Sequence, residues 1–312
     1  MEFIDKAKGQ QDADSILNDF MALHQHKDAQ GTPQNGQYVN VVYEELSANN
    51  MTFSGKNASH RDHLIDVMRM TQQDSHGAQH CCYCMRRIND EKVTLEHIIQ
   101  QSLNANDRAQ YNDYINYGLP FLTAGNVILA CDYTARFNVA GQNVPPYPHV
   151  IAYYNLVASC FGYFPKEDNR EQQLTVCCNN KRSNAHVYPL FYDQDWKNKV
   201  KYAKNGWMVV LYNGVNAQIK QGLVNLTSKV GLNAVPLLEI RRLWYLLRKE
   251  DIFVLRSINT KSGRGAKLYW ALRSADATEE DKPLRKKYST DDYWVLLMKY
   301  DWFWEYYRSE YP

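Results

Sequence analysis

The sequence predicts an α+β protein: a thiol-rich centre with a helical segment before it and a mixed segment after it. Three observations carry this. Helical hydrophobic spacing recurs towards both ends, short strand-like runs lie between, and all seven cysteines fall within residues 81–178. A chain of 312 residues, 45% apolar and 22% charged, can bury a full core without staples. These proportions exclude a wholly disordered, collagenous or coiled-coil chain. No stretch approaches the ~18 apolar residues of a membrane span, and the polar start MEFIDKAKGQ has no signal-peptide run. The expected location is therefore cytoplasmic. With 36 basic against 34 acidic residues, the net charge of +2 gives no overall signature of nucleic-acid binding, so any such contact must come from local clusters.

Taken in order, residues 14–26 (DSILNDFMALHQH) predict a short amphipathic helix capped by Asp14 or Ser15, and 28–40 a loop rich in Gly, Gln, Asn and Pro. HRDHLIDVMRM (60–70) spaces Leu64, Val67 and Met68 as a helix does. CCYC (81–84) is a tight thiol turn, VTLEHI (93–98) alternates like a strand, and 106–117 suits a helix. NVILAC (126–131) suits a buried strand, and 150–161 a hydrophobic and aromatic helix. CCNNKRSN (177–184) reads as an exposed basic turn. Residues 196–212 predict a hairpin turning at Asn205-Gly206. VPLLEIRRLWYLLRKE (235–250) is a helix with an apolar and a basic face, and 289–307 opens on a Ser/Thr/Asp cap and is loaded with aromatics. The organisation that follows is a helical segment at 1–75, a central module at 76–190 with an insert at about 132–176, and an α/β segment at 191–312.

The odd cysteine count without secretion signals favours metal ligands or free thiols over disulfides. Cys81-x-x-Cys84 can place two thiolates on one side of a tetrahedral zinc ion. Cys131 and Cys178 (or Cys177) are candidates for the second pair; such a closed site would be structural. The alternative is a set of buried free thiols. Next comes Glu96-His97: a histidine beside a carboxylate can act as a general base toward water. Neighbouring strand residues point to opposite faces, so the two share a site only if the chain bends there.

CxxC at 81–84, then Glu96-His97-Ile98, then N-x-x-L-x-C at 126–131, then Cys178-Asn179-x-x-Arg182 together resemble the HNH endonuclease family. EHIIQQSL also resembles the HNH segment of RNA-guided CRISPR nucleases. The resemblance covers residues 81–184 and implies a zinc-stabilised ββα-metal (HNH) module, two strands and a helix gripping one divalent cation. It implies that His97 is the general base and Glu96 a ligand of a catalytic Mg²⁺ or Mn²⁺. Asn126 would brace the loop between the strands, and Asn179 would be the second metal ligand. Lys181 and Arg182 would contact phosphate, and Zn²⁺ on Cys81, Cys84, Cys131 and Cys178 would hold the scaffold. The implied activity is hydrolysis of phosphodiester bonds, with DNA the expected substrate. Departures from the family pattern are Gln100 where Pro is usual, Glu96 where Asp is more frequent, and the 46 residues between Cys131 and Cys178. That insert holds Arg136, Lys166, Arg170 and several Tyr, a mixture that suits single strands or a protein interface.

The spread-out cysteines, VYPLFYD, NGWMV and LLEIRRLWYLL are similar to PtuB-type HNH proteins, the nuclease subunit of Septu and of some retron anti-phage systems. That likeness implies an ABC/SMC-like ATPase partner, with residues beyond about 190 serving docking. An RNA-cleaving nuclease and a non-catalytic zinc-bound module are the rival readings. His80 is a candidate alternative zinc ligand, though a surface histidine is the plainer expectation. Arg241, Arg242, Arg248 and Lys249 form a solvated face or a contact to DNA or a partner. GRGAK (263–267) lacks the Gly-Lys-Ser/Thr of a phosphate loop, and the aromatics from Trp294 to Tyr307 read as core.

Overall fold

The computed structural model describes residues 3–23, 43–48, 58–101, 112, 114–118, 127–128, 147–166 and 173–312. It is a mixed α+β structure in which helices dominate both ends and small strand pairs lie between. Helix α1 (Gln10–Leu23) starts ahead of the expected cap. Asp5 accepts from the Ala7 N–H and opens a 3-10 turn over Lys6–Gly9 that runs straight into it. Helix α2 (His60–Thr71) forms as its spacing predicts, capped by Ser59. Its Leu64, Ile65, Val67 and Met68 join Ile16, Leu17 and Phe20 of α1 in the core.

Strand β1 (Val93–His97) also forms as predicted. The short β2 (Val127–Ile128) pairs in parallel with β3 (Tyr147–Pro148); the rest of NVILAC lies outside the described residues. The partner of β1 is β4 (Leu156–Cys160), antiparallel, with Val93 opposite Cys160 and His97 opposite Leu156. The helix expected at 150–161 is therefore a strand, preceded by a single 3-10 turn at Tyr153–Asn155. Its five residues are all buried, so the run has no polar alternation by which a strand differs from a helix in sequence.

β5 (Tyr163–Pro165) and β6 (Gln173–Thr175) form a hairpin that leads to the one-turn helix α3 (Asn179–Arg182). Gly162 turns the chain between β4 and β5 at φ +68°, and a Cβ there would lie 1.9 Å from the Cys177 carbonyl oxygen. Only glycine lets these segments approach so closely. The region expected as an insert thus supplies a strand of the central ribbon.

β7 (Val200–Tyr202) and β8 (Met208–Val210) form the expected hairpin, with Gly206 at φ +87° in its turn. The helices that follow are α4 (Ala217–Ser228), α5 (Val235–Leu247), α6 (Ile252–Ser257), α7 (Lys261–Ala271), α8 (Leu284–Tyr288), α9 (Asp291–Met298) and α10 (Trp302–Glu310). GRGAK lies within α7, and the aromatics Trp294, Phe303 and Tyr307 are core. The three arginines of the basic face turn inward, and Lys249 alone of the four is exposed. Arg241 is fully buried and donates to the Leu232 carbonyl at 2.7 Å, Arg242 pairs with Asp281 at 2.6 Å, and Arg248 with Asp276 at 2.9 Å. One core runs through all three segments of the chain, and Arg87 ties to Asp301 across 2.6 Å. Among the described residues no helix is long and apolar enough to cross a membrane.

Candidate metal centre and adjoining cleft

Four thiols from three places in the chain meet in the core. Cys81 and Cys84 sit in a knuckle closed by the Cys81 N–H donating to the Arg86 carbonyl at 2.8 Å, with Met85 at φ 63°. Cys160 ends β4, and its N–H points at the Cys81 sulfur, 3.3 Å away. Cys178 caps α3 at φ 64° and is anchored by its N–H to the Val230 carbonyl at 3.0 Å. The Sγ atoms of these four all lie within 4.8 Å of one another. Three of the separations are 3.7 Å (Cys81–Cys178), 3.6 Å (Cys84–Cys160) and 3.5 Å (Cys160–Cys178). A tetrahedron with Zn–S bonds of ~2.3 Å has edges of ~3.8 Å. The buried cluster can therefore hold a metal such as zinc. Burial pushes the Cys84 and Cys178 thiols well above their usual pKa; burial also acts on Cys81, but its thiol neighbours pull that group below. So many buried sulfurs become thiolates together only around a cation.

The described cluster differs from the expected ligand set in one position. Cys160 completes the four, whereas Cys131 lies outside the described residues. The sequence carries the pattern N-x-x-x-x-C twice, as Asn126–Cys131 and as Asn155–Cys160. The second runs along the strand paired with β1. Of the two candidates at the fourth place, Cys178 belongs to the four and Cys177 lies beside it, sulfur to sulfur 3.3 Å. His80 is neither a surface residue nor a member of the cluster: it is buried between Asp74, 3.0 Å from Nε2, and the Met85 carbonyl, 3.2 Å from Nδ1.

A cleft of about 170 Å³ opens at the far end of β1, bordered by Glu96, His97, Gln100, Asn179, Arg182 and Asn184 among others. The chain bends at Ile98–Ile99 directly after the strand, and Glu96 and His97 both reach this cleft although they alternate along β1. His97 Nε2 lies 2.9 Å from the Val150 carbonyl. A carbonyl only accepts, so Nε2 carries the hydrogen and Nδ1 is the basic nitrogen. Burial, against that hydrogen bond, drives the His97 pKa down to about 3, so the ring is neutral near pH 7.

Glu96 accepts from the Tyr83 hydroxyl at 2.8 Å and from Arg182 Nη1, both on Oε1. Oε2 is the oxygen it has left to offer. Burial pushes its carboxyl up in pKa, and Arg182 opposes that. Arg182 also donates to the carbonyls of His97, Ile98 (2.8 Å) and Ala185 (3.0 Å). It is buried as a clamp on the end of β1, whereas Lys181 beside it is exposed. Asn179 donates through Nδ2 to Thr94 Oγ1 at 2.9 Å, which leaves its carbonyl oxygen as a possible ligand atom.

The structure thus brings Glu96, His97, Asn179 and Arg182 to one cleft; Asn126 lies outside the described residues. Among the described residues, Asn155 braces the bend after β1. Its Oδ1 accepts from the Ile99 N–H at 2.7 Å, and its Nδ2 donates to the carbonyls of Ile99 (3.0 Å) and His149 (2.7 Å). Gln100 uses its carbonyl to hold His149 Nε2 at 3.0 Å and its side chain to hold the Asn184 carbonyl. Tyr83 was missed because nothing in CCYC marks its hydroxyl as a partner of Glu96. No family description, curated protein or solved structure matches this chain.

Proposed function

We propose that the chain is a metal-dependent endonuclease of the HNH type that hydrolyses phosphodiester bonds, with DNA its substrate. The observation that carries this reading is the meeting of Glu96, His97 and Asn179 at one cleft, on a strand–strand–helix unit tied to a four-cysteine cluster. Neutral His97, its proton fixed on Nε2, takes a proton from water at Nδ1. Glu96 Oε2 and the Asn179 carbonyl oxygen are hard ligands that suit Mg²⁺ or Mn²⁺. Such a cation, when bound, supplies positive charge where negative charge develops on the phosphate. Arg182 and Tyr83 hold the Glu96 carboxylate in place, Asn155 fixes the loop behind His97, and Lys181 faces outward for a phosphate. A zinc ion held by Cys81, Cys84, Cys160 and Cys178 would join the knuckle, β4 and α3 into one scaffold. The PtuB-type likeness adds an anti-phage setting and an ABC/SMC-like ATPase docked on residues beyond about 190.

One observation favours a second reading, a non-catalytic zinc-held module: the ion pair between Glu96 and Arg182 is buried and self-sufficient. A substrate panel separates the two. Plasmid, single-stranded DNA and RNA are offered to the purified chain with Mg²⁺ or Mn²⁺, alone and with a candidate ATPase, beside Asn179→Ala. The nuclease reading expects metal-dependent cutting that Asn179→Ala loses while keeping its zinc. Cutting of RNA alone would move the substrate to RNA, and no cutting in any arm would leave the binding module.

A further inference from the structure

Helix α7 carries Tyr269 and Trp270 near its C-terminal end, and the Trp270 ring is 66% exposed. Helix α8 presents Arg285 and Lys286 to solvent beside it. With Lys261 and Lys282 these residues border an open groove of about 1000 Å³, whose lining among the described residues holds four cations and no carboxylate. In a chain of net charge +2 that is a local concentration of positive charge. The same helices neutralise their other cations: Arg264 pairs with Asp291, Lys267 with Glu250, and Lys287 with Glu239 at 2.8 Å. Of the groove cations, Lys282 meets the exposed Glu279 at the rim. The floor is open as well, since a Cβ at Gly265 would meet nothing within 4 Å. Arg285 and Arg273 lie over the Tyr269 ring at 4.9 and 5.2 Å, which fixes that ring, and Trp270 meets it edge-on at 5.3 Å.

We propose that the groove between α7 and α8 binds single-stranded nucleic acid, holding phosphates on Arg285, Lys286 and Lys261 and stacking a base on Trp270. Cations alone would serve an acidic peptide equally; the exposed indole among them favours a ligand with flat bases. The proposal rests on the nuclease reading for its ligand class, and it places substrate holding on residues distinct from those of the cleft.

The test is fluorescence anisotropy of a labelled single strand of about 16 nucleotides. It is run on the full chain in Ca²⁺, without Mg²⁺ or Mn²⁺, so that binding is read apart from cleavage. Trp270→Ala and the double variant Arg285→Glu/Lys286→Glu are compared with the wild type and with His97→Ala. All the altered groove residues are exposed, and zinc content and thermal midpoint check the fold. The expected result is binding by wild type and His97→Ala alike, weakened about 10-fold or more by Trp270→Ala. The double variant should also flatten the dependence of log K on log salt by roughly 1.4. Groove variants that bind as the wild type does, or poly-glutamate that displaces the oligonucleotide at equal charge, would overturn the proposal. Because Ca²⁺ binding and metal-dependent cutting are separate readouts, a chain that binds through the groove but never cuts would sink the nuclease reading alone.

Discussion

Arg182 and Glu96 are 3% and 2% exposed, and neither charge is tolerable there without the other. Arg182→Ala leaves the Glu96 carboxylate and three backbone carbonyls short of a donor. The expected loss is about 3–5 kcal/mol in urea unfolding, with Arg182→Met/Glu96→Gln less damaging than Arg182→Ala alone. A loss below about 1 kcal/mol would mean that the pair is not buried as described. His149 supplies a second test. Burial, against the carbonyl of Gln100, lowers its pKa from the usual 6.5 to about 4. Below about pH 6.5 the unfolded chain therefore takes up a proton that the folded chain refuses. Stability is unaffected above that range and falls as the pH drops toward 4, by about 1.4 kcal/mol per pH unit for one proton. His149→Gln should flatten that slope by one proton in urea titrations across the window; an unchanged slope would show that His149 does not titrate as placed. Part of this scale was legible from spacing: Cys81, Cys84 and Cys178 meet in one cluster, and Glu96, His97 and Asn179 border one cleft. The burial of Arg182 was not, because a basic residue after a turn reads as exposed in any sequence.

At the scale of elements, β4 decides the architecture, since it joins the cleft end of β1 at Leu156 to the thiol cluster at Cys160. Cys160→Ser should lower zinc content and destabilise the chain, whereas Cys131→Ser should keep its zinc, both read by elemental analysis of purified protein. The reverse result would restore the ligand set first expected. Gly162→Ala should cost about 1–3 kcal/mol or more, because it combines a positive φ with a clash on the Cys177 carbonyl. A neutral substitution there would contradict the close approach of the two segments. VTLEH and the NGW hairpin were readable, the first from alternation and the second from its turn residues. LVASC was not, for a strand buried on both faces loses the period that identifies it. That ambiguity hid the second copy of N-x-x-x-x-C, Asn155–Cys160, which stands on this strand. Likewise α5 displayed a basic stripe whose acidic partners, Asp276 and Asp281, lie too far along the chain to be paired by spacing.

At the scale of the whole molecule, a cluster of four thiols, a strand–strand–helix unit and a cleft adjoin one another, and the C-terminal helices pack against them through a shared core. The proposed nuclease function is tested most directly by plasmid cleavage with wild type and His97→Ala, with and without Mg²⁺ or Mn²⁺, with zinc measured in both preparations. Wild type should cut only with added divalent metal. A loss of about 100-fold or more is expected in His97→Ala, which stays folded and zinc-loaded. Equal cutting by His97→Ala, or cutting that needs no added metal, would contradict that function.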